Sequence, residues 1–202
     1  MTSKRGTGEE MRVTKLTIAI ASLALAIPAL AQTKSPVINE RRENQQQRIG
    51  NGVENGSLTA AEAARLERKE ARVNREVRAM KSDGTFTPAE RARVTRQQNR
   101  LSHQIYRQKH DAQAQPPVNN EINARQRAQQ ERIGQGIKSG ELTPREAARL
   151  ESKEAGINRE VRGMREVNGG PLTPGEKKLV NRQQNAMSRK IYRQKHDVQA
   201  RR

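Results

Sequence analysis

Glu141-Leu142-Thr143-Pro144-Arg145-Glu146-Ala147-Ala148-Arg149-Leu150 carries the clearest structural signal in this chain, a helix start. Thr143 is followed three residues later by Glu146, at the head of an apolar pattern of helical period. In that arrangement the threonine hydroxyl accepts from the backbone N–H of the glutamate, and the glutamate carboxylate accepts from the backbone N–H of the threonine. Pro144 falls at the first helical position, where a missing N–H costs nothing and the fixed φ already suits the helix. The same punctuation recurs at Leu58-Thr59 with Glu62, Phe86-Thr87 with Glu90, and Leu172-Thr173 with Glu176. A glycine stands two residues before each of these apolar residues (Gly56, Gly84, Gly140, Gly170), suited to closing the preceding helix. The residues Thr59, Glu62, Thr87, Glu90, Thr143, Glu146, Thr173 and Glu176 therefore predict four helix starts with a structural, capping role.

Working outward, the stretch belongs to a unit that occurs twice. Ile38 to Asp111 matches Ile122 to Asp197, with an offset of 84 as far as Met80/Met164 and of 86 from Thr87/Thr173. Shared strings include Glu-Ala-Ala-Arg-Leu-Glu (62–67, 146–151) and Ile-Tyr-Arg-Gln-Lys-His-Asp (105–111, 191–197). Self-similarity of this kind is a tandem duplication. Each copy predicts three helices. Helix A covers 38–53 and 122–137, with a thin seam of Ile38, Gln45, Ile49 and Val53. Helix B starts at Ala60 and runs to Lys81, with Ala63, Leu66, Glu70, Val73, Val77 and Met80 spaced as the seam of an antiparallel hairpin. Its copy repeats the seam as Ala147, Leu150, Glu154, Ile157, Val161 and Met164. Helix C covers 88–110, with Val94, Gln98, Leu101 and Ile105, matched by Val180, Gln184, Met187 and Ile191. No segment alternates with period two, so the expected class is all-α: two tandem three-helix modules built from helical hairpins, at 37–111 and 121–197. Residues 112–120, with Pro116-Pro117, read as a linker, so each module is either separate or half of one layered array. Residues 198–202 read as a basic tail.

The first 31 residues read as a signal peptide. Lys4, Arg5, Arg12 and Lys15 precede the apolar run Leu16–Ile27, which is too short to span a bilayer, and Ala29-Leu30-Ala31 has the small-x-small form of a cleavage site. Met1 and Met11 are both candidate starts. Cleavage after Ala31 would leave a disordered start at 32–36 and place the mature chain in the periplasm or outside the cell. The 202-residue chain carries 40 Lys and Arg against 22 Asp and Glu, and no Cys. It therefore lacks the disulfide staple that export permits. Leu, Ile, Val and Phe make up about 15% of the mature chain, near the composition of disordered proteins, yet their periodicity and the regular helix starts argue for helices.

Candidate chemistry is sparse. The turns before Glu62, Glu90, Glu146 and Glu176 resemble the second half of an EF-hand loop, with the glycine at the sixth position and the glutamate at the twelfth. Asn51, Ala79, Gln135 and Arg165 hold the first position, where calcium needs an oxygen ligand, so calcium binding is a degenerate alternative. His103, His110 and His196 have no Cys or acidic cluster beside them in sequence, so no metal or cofactor is expected. Ser102-His103 point to different helix faces, and no enzyme is expected. Glu70 and Glu154 fall in a seam, where a carboxylate finds a cation or raises its pKa. The basic excess is the strongest functional signal. Arg96, Arg100, Arg107 and Lys109 on helix C, with Arg182, Arg189, Arg193 and Lys195 on its copy, are the candidate client- or polyanion-binding residues. Tyr106 and Tyr192 are the only aromatics near them, so base stacking is poorly supplied.

With its Leu-Thr-x-x-Glu turns at 58–62, 142–146 and 172–176 and a looser copy at 86–90, the chain resembles the periplasmic LTxxQ-motif stress chaperones, and in style uncharacterised exported bacterial helical-repeat proteins. Glutamate stands where that family has glutamine. The resemblance implies an all-α, often dimeric cradle that binds unfolded envelope clients without ATP. The expected function is a non-enzymatic envelope protein, chaperone-like or scaffolding, whose basic amphipathic helices hold acidic or partly unfolded clients. The alternative is binding of a polyanion: nucleic acid, lipopolysaccharide or acidic polysaccharide. A homodimer is the candidate assembly.

Overall fold

The computed structural model describes residues 34–116 and 120–198; the expected signal peptide lies outside the described residues, as do 117–119 and the end of the tail. Among the described residues the chain forms six helices and no strand: α1 (Pro36–Asn55), α2 (Ala60–Met80), α3 (Pro88–Lys109), α4 (Glu121–Ser139), α5 (Pro144–Asn168) and α6 (Pro174–Lys195). The all-α class is what the capping pattern implied. The start expected to be disordered at 32–36 is already helical at Pro36.

All four threonine–glutamate pairs close as capping boxes. At Thr143 the backbone N–H donates to Glu146 Oε2 at 3.0 Å, and Thr143 Oγ1 accepts from the Glu146 N–H at 3.4 Å. The helix ends follow the glycines less uniformly. Gly56 and Gly140 cap α1 and α4 in the left-handed conformation, with φ of 81° and 82°. Gly169, not Gly170, caps α5. Helix α2 ends at Lys81 in right-handed geometry, and Gly84 takes its positive φ within the turn that follows.

Inside each repeat, α1 and α4 are tied to α3 and α6 by glutamine side chains. Gln45 Nε2 donates to the Gln98 carbonyl at 2.7 Å, and Gln98 Nε2 donates to the Ile38 carbonyl at 2.9 Å. Gln129, Gln184 and Ile122 repeat this with distances of 2.7 and 2.9 Å. The polar gaps in the apolar seams are thus hydrogen-bonded clamps between helices, which give each buried amide nitrogen a carbonyl partner.

The two repeats are interlocked. Helix α1 packs on α4 and α2 packs on α5, and each of these pairings is more extensive than any helix pairing within a repeat. One apolar cluster runs through both copies, from Ile49, Val53 and Leu66 to Ile133, Ile137 and Leu150. The arrangement is that of half-arrays joined face to face. Equivalent residues meet across an approximate two-fold axis: Gly50 faces Gly134, Glu54 pairs with Lys138, and Arg68 Nη1 donates to Ser152 Oγ at 2.9 Å. The axis requires Gly50 and Gly134. A Cβ on Gly134 would lie 2.8 Å from the Gly50 carbonyl oxygen, and one on Gly50 would lie 2.9 Å from that of Gly134. Glycine here admits backbone to backbone. On the other pair, Ala63 and Ala64 of α2 and Ala147 and Ala148 of α5 are buried small residues.

Candidate functional site

The antiparallel pair α2 and α5 leaves a groove on the surface, with a volume of about 810 Å³. Its floor is small and apolar: Ala71, Pro144 and Ala148. Helix α2 supplies Arg68, Arg72, Arg75 and Arg78 to its wall, α5 supplies Arg145, Arg149 and Lys153, and α6 supplies Lys190. None of the lining residues is acidic. The seven residues from α2 and α5 are all exposed. Partial burial lowers the Lys190 ammonium from its ordinary value, and Lys153, Arg149 and Arg193 lower it further by charge repulsion. Cations crowded to that degree, with no carboxylate among the lining residues, create a strongly positive local field.

Helical spacing explains the geometry. Arg68, Arg72 and Arg75 recur at i, i+4 and i+7, and Arg145, Arg149 and Lys153 at i, i+4 and i+8, so each set forms one stripe along its helix. The α2 stripe spans about 15 Å from Arg68 to Arg78 at a rise of about 1.5 Å per residue. The two stripes face each other because the repeat axis passes beside Arg68 and Ser152 and turns α5 antiparallel to α2.

Across the two-fold axis lies the equivalent groove, lined by Thr59, Ala60 and Ala61 on one side and by Ala155, Asn158, Arg159 and Arg162 on the other. It is different in two ways. Residues 112–116, the connection between repeats, run along it; the Gln115 N–H donates to the Gly56 carbonyl at 3.2 Å, and its side-chain amide donates to the carbonyls of Val53 and Leu58. Its charge is also lower. Where the open groove has Arg72, Arg145 and Lys190, the equivalent positions of the other repeat hold Gly156, Ala61 and Gln104. Divergence between the copies has therefore gathered positive charge on one side of the molecule.

The cations expected from helix C lie elsewhere. Arg96, Arg100, Arg107, Arg182, Arg189 and Arg193 are exposed on α3 and α6, outside the groove lining. Lys109 and Lys195 are half-buried, with their stems over Gly52 and Gly136, and Lys195 Nζ pairs with Glu141 at 3.2 Å. The groove cations on helix B are not among the binding residues that the basic excess of helix C points to. Their signal was present in the i, i+4 arginine stripes, but only the packing of α2 on α5 brings two stripes together.

A second polar constellation is internal. Glu67, Glu70, Glu151 and Glu154 are all buried where α2 and α5 approach α1 and α4. Gln46 Nε2 donates to both oxygens of Glu67 at 3.2 Å, and Gln130 Nε2 donates to Glu151 Oε2 at 2.9 Å. Burial pushes Glu151 well above the carboxylate range, opposed by the Gln130 amide and reinforced by Glu154 and Glu67. Burial also pushes Glu154 up to about 8, despite the opposing charge of Arg132 on α4. Burial thus favours the protonated form of both groups. Among the described residues, no three acidic or histidine side chains are placed to hold a metal ion.

The EF-hand-like glutamates are engaged in capping. Glu176 accepts from the Thr173 N–H, the Asn168 amide and the Thr173 hydroxyl, which together hold its carboxyl below the usual range. His110 and His196 stack on Tyr106 and Tyr192, with ring centroids 4.2 and 4.1 Å apart, and each Nδ1 lies 2.7 Å from the carbonyl oxygen of its tyrosine. Both thus serve as helix-end pairs. Among the described residues, no helix is long and apolar enough to cross a membrane. No family model, no curated protein and no solved structure matches this chain.

Proposed function

We propose that this is a non-enzymatic binding protein of the cell envelope that holds an extended anionic partner in the groove between α2 and α5. One observation carries the reading: eight cationic side chains line the groove and no acidic one does. Arginine predominates among them, and its planar fork matches carboxylate and phosphate oxygens two at a time. The other cations on α3 and α6 add long-range attraction that speeds encounter.

A chaperone-like role through apolar contact has less support in the geometry. Among the described residues the exposed large apolar side chains are Val37, Tyr106, Val167, Tyr192 and Val198, which sit singly on different elements. Client capture by an apolar face needs a contiguous patch. Recruitment through charge needs only the groove.

The test is titration of the mature chain with labelled polyanions over a range of salt concentrations. The expected result is binding at low salt that weakens steeply as salt rises. The double variant Arg72→Ala/Arg149→Ala, exposed and outside the core, should bind roughly tenfold more weakly and show a shallower salt slope. Equal affinity of variant and parent chain, or no binding at any salt concentration, would overturn the reading.

A further inference from the structure

We infer that the partner seated in the open groove is an extended acidic segment of another polypeptide. This rests on the groove being an anion site and names the chemistry of its occupant. The argument comes from the other side of the molecule. There residues 112–116, without helix or strand, border the equivalent groove, held at Gln115 by its main-chain N–H on the Gly56 carbonyl and its side-chain amide on those of Val53 and Leu58. The fold therefore holds an irregular peptide chain alongside the groove formed by these two helices.

Charge follows the same correspondence. Ala112-Gln113-Ala114-Gln115-Pro116 is uncharged, and the groove it borders has Ala61 on α2 and three cations, Arg159, Arg162 and Arg165, on α5. The open groove is cationic at Arg145, which matches Ala61, and at Arg72, which matches Gly156. The segment beside the less cationic groove is neutral, whereas eight cations with no carboxylate among them in the open groove call for an anionic segment.

Dimensions agree. Cations four residues apart on a helix lie about 6 Å apart along its axis. Side chains on one face of an extended peptide recur about every 6.8 Å. A segment with Glu or Asp at alternate positions can therefore meet a stripe cation by cation, while Asn74 offers an amide to the peptide backbone. The floor of alanine and proline has no aromatic ring for stacking a nucleobase and no long aliphatic side chain for lining an acyl chain.

The experiment compares three labelled probes by fluorescence anisotropy at low salt: an alternating Glu-Ala peptide, a single-stranded oligodeoxynucleotide, and lipopolysaccharide. Each is titrated with the parent chain, with Arg72→Ala/Arg149→Ala, and with Arg159→Ala/Arg162→Ala in the opposite groove, which removes the same charge. The expected result is peptide binding that falls roughly tenfold in the first variant and changes little in the second. Binding of the oligonucleotide or the glycolipid without the peptide would overturn this inference and leave the anion-binding reading standing. Equal loss in both variants would overturn the groove as the peptide site. No binding of any probe would overturn both.

Discussion

At the scale of the residue, glycines with different surroundings carry opposite expectations. Gly134 lies in α4 with the Gly50 carbonyl oxygen where its Cβ would be, so Gly134→Ala forces two backbones apart. The gain in helix propensity, about 1 kcal/mol, is outweighed by an overpacking cost of about 1–3 kcal/mol at a site with no flexible neighbour to yield. Gly156 and Gly163 lie in α5 with nothing within 4 Å of an added Cβ. Replacing either with alanine should stabilise the protein by about 0.5–1 kcal/mol. Urea denaturation of the three variants checks both signs. Glu154 gives a pH-dependent expectation. Its carboxyl has an ordinary value of 4.5 and is pushed up to about 8 in the fold. Below the ordinary value the group is protonated folded and unfolded, and no stability is lost. As pH rises from about 4.5 to about 8, the unfolded chain releases the proton and the folded chain retains it, so stability falls; above about 8 the loss is complete. Glu154→Gln keeps the shape and cannot ionise. Its stability relative to the parent chain should therefore rise across that window, by an amount on the order of a few kcal/mol. Parallel melting curves at pH 5 and pH 8 with an unchanged difference would rule this out.

At the scale of the element, the helix starts were legible because a capping box is local: Thr59 and Glu62 need only each other and three intervening residues. The same argument makes Thr143→Ala a clean test. The variant leaves the Glu146 N–H without its hydroxyl partner and should cost about 1 kcal/mol, read as a lower denaturation midpoint with an unchanged slope. The seams of α3 and α6 were equally legible, since their buried residues are the periodic ones. The second buried face was not. Gln46, Gly50 and Glu67, with Gln130, Gly134 and Glu151, are core residues without apolar side chains, so hydrophobic periodicity passes over them. A signal existed in Gly50-Asn51-Gly52 and Gly134-Gln135-Gly136. Two glycines within one turn of a helix are costly unless close packing requires them. Gly52 and Gly136 make room for Leu58 and Leu142, while Gly50 and Gly134 make room for each other.

At the scale of the whole molecule, the groove depends on how the repeats meet, and sequence periodicity within one repeat says nothing of that. The duplication itself held the clue. Two copies of a unit with a thin core can each bury a second face on the other, and equivalent residues then meet in pairs, as Glu54 and Lys138 do. If the copies share a core, the connection between them fixes local concentration more than structure. A protease site engineered at 117–119 and cut after folding should therefore leave both halves together, eluting as one species with an unchanged helical spectrum. Gln115 stays on the first half, where its amide still reaches Gln130 Oε1 of the second at 3.2 Å. Cutting converts a unimolecular transition into a bimolecular one. The melting temperature of the cut protein should rise with protein concentration, whereas that of the intact chain should not. Two folded three-helix species that separate on a sizing column, or a melting temperature independent of concentration after cutting, would show that each repeat stands alone. The α2–α5 groove would then lose the packing that brings its two cationic stripes face to face.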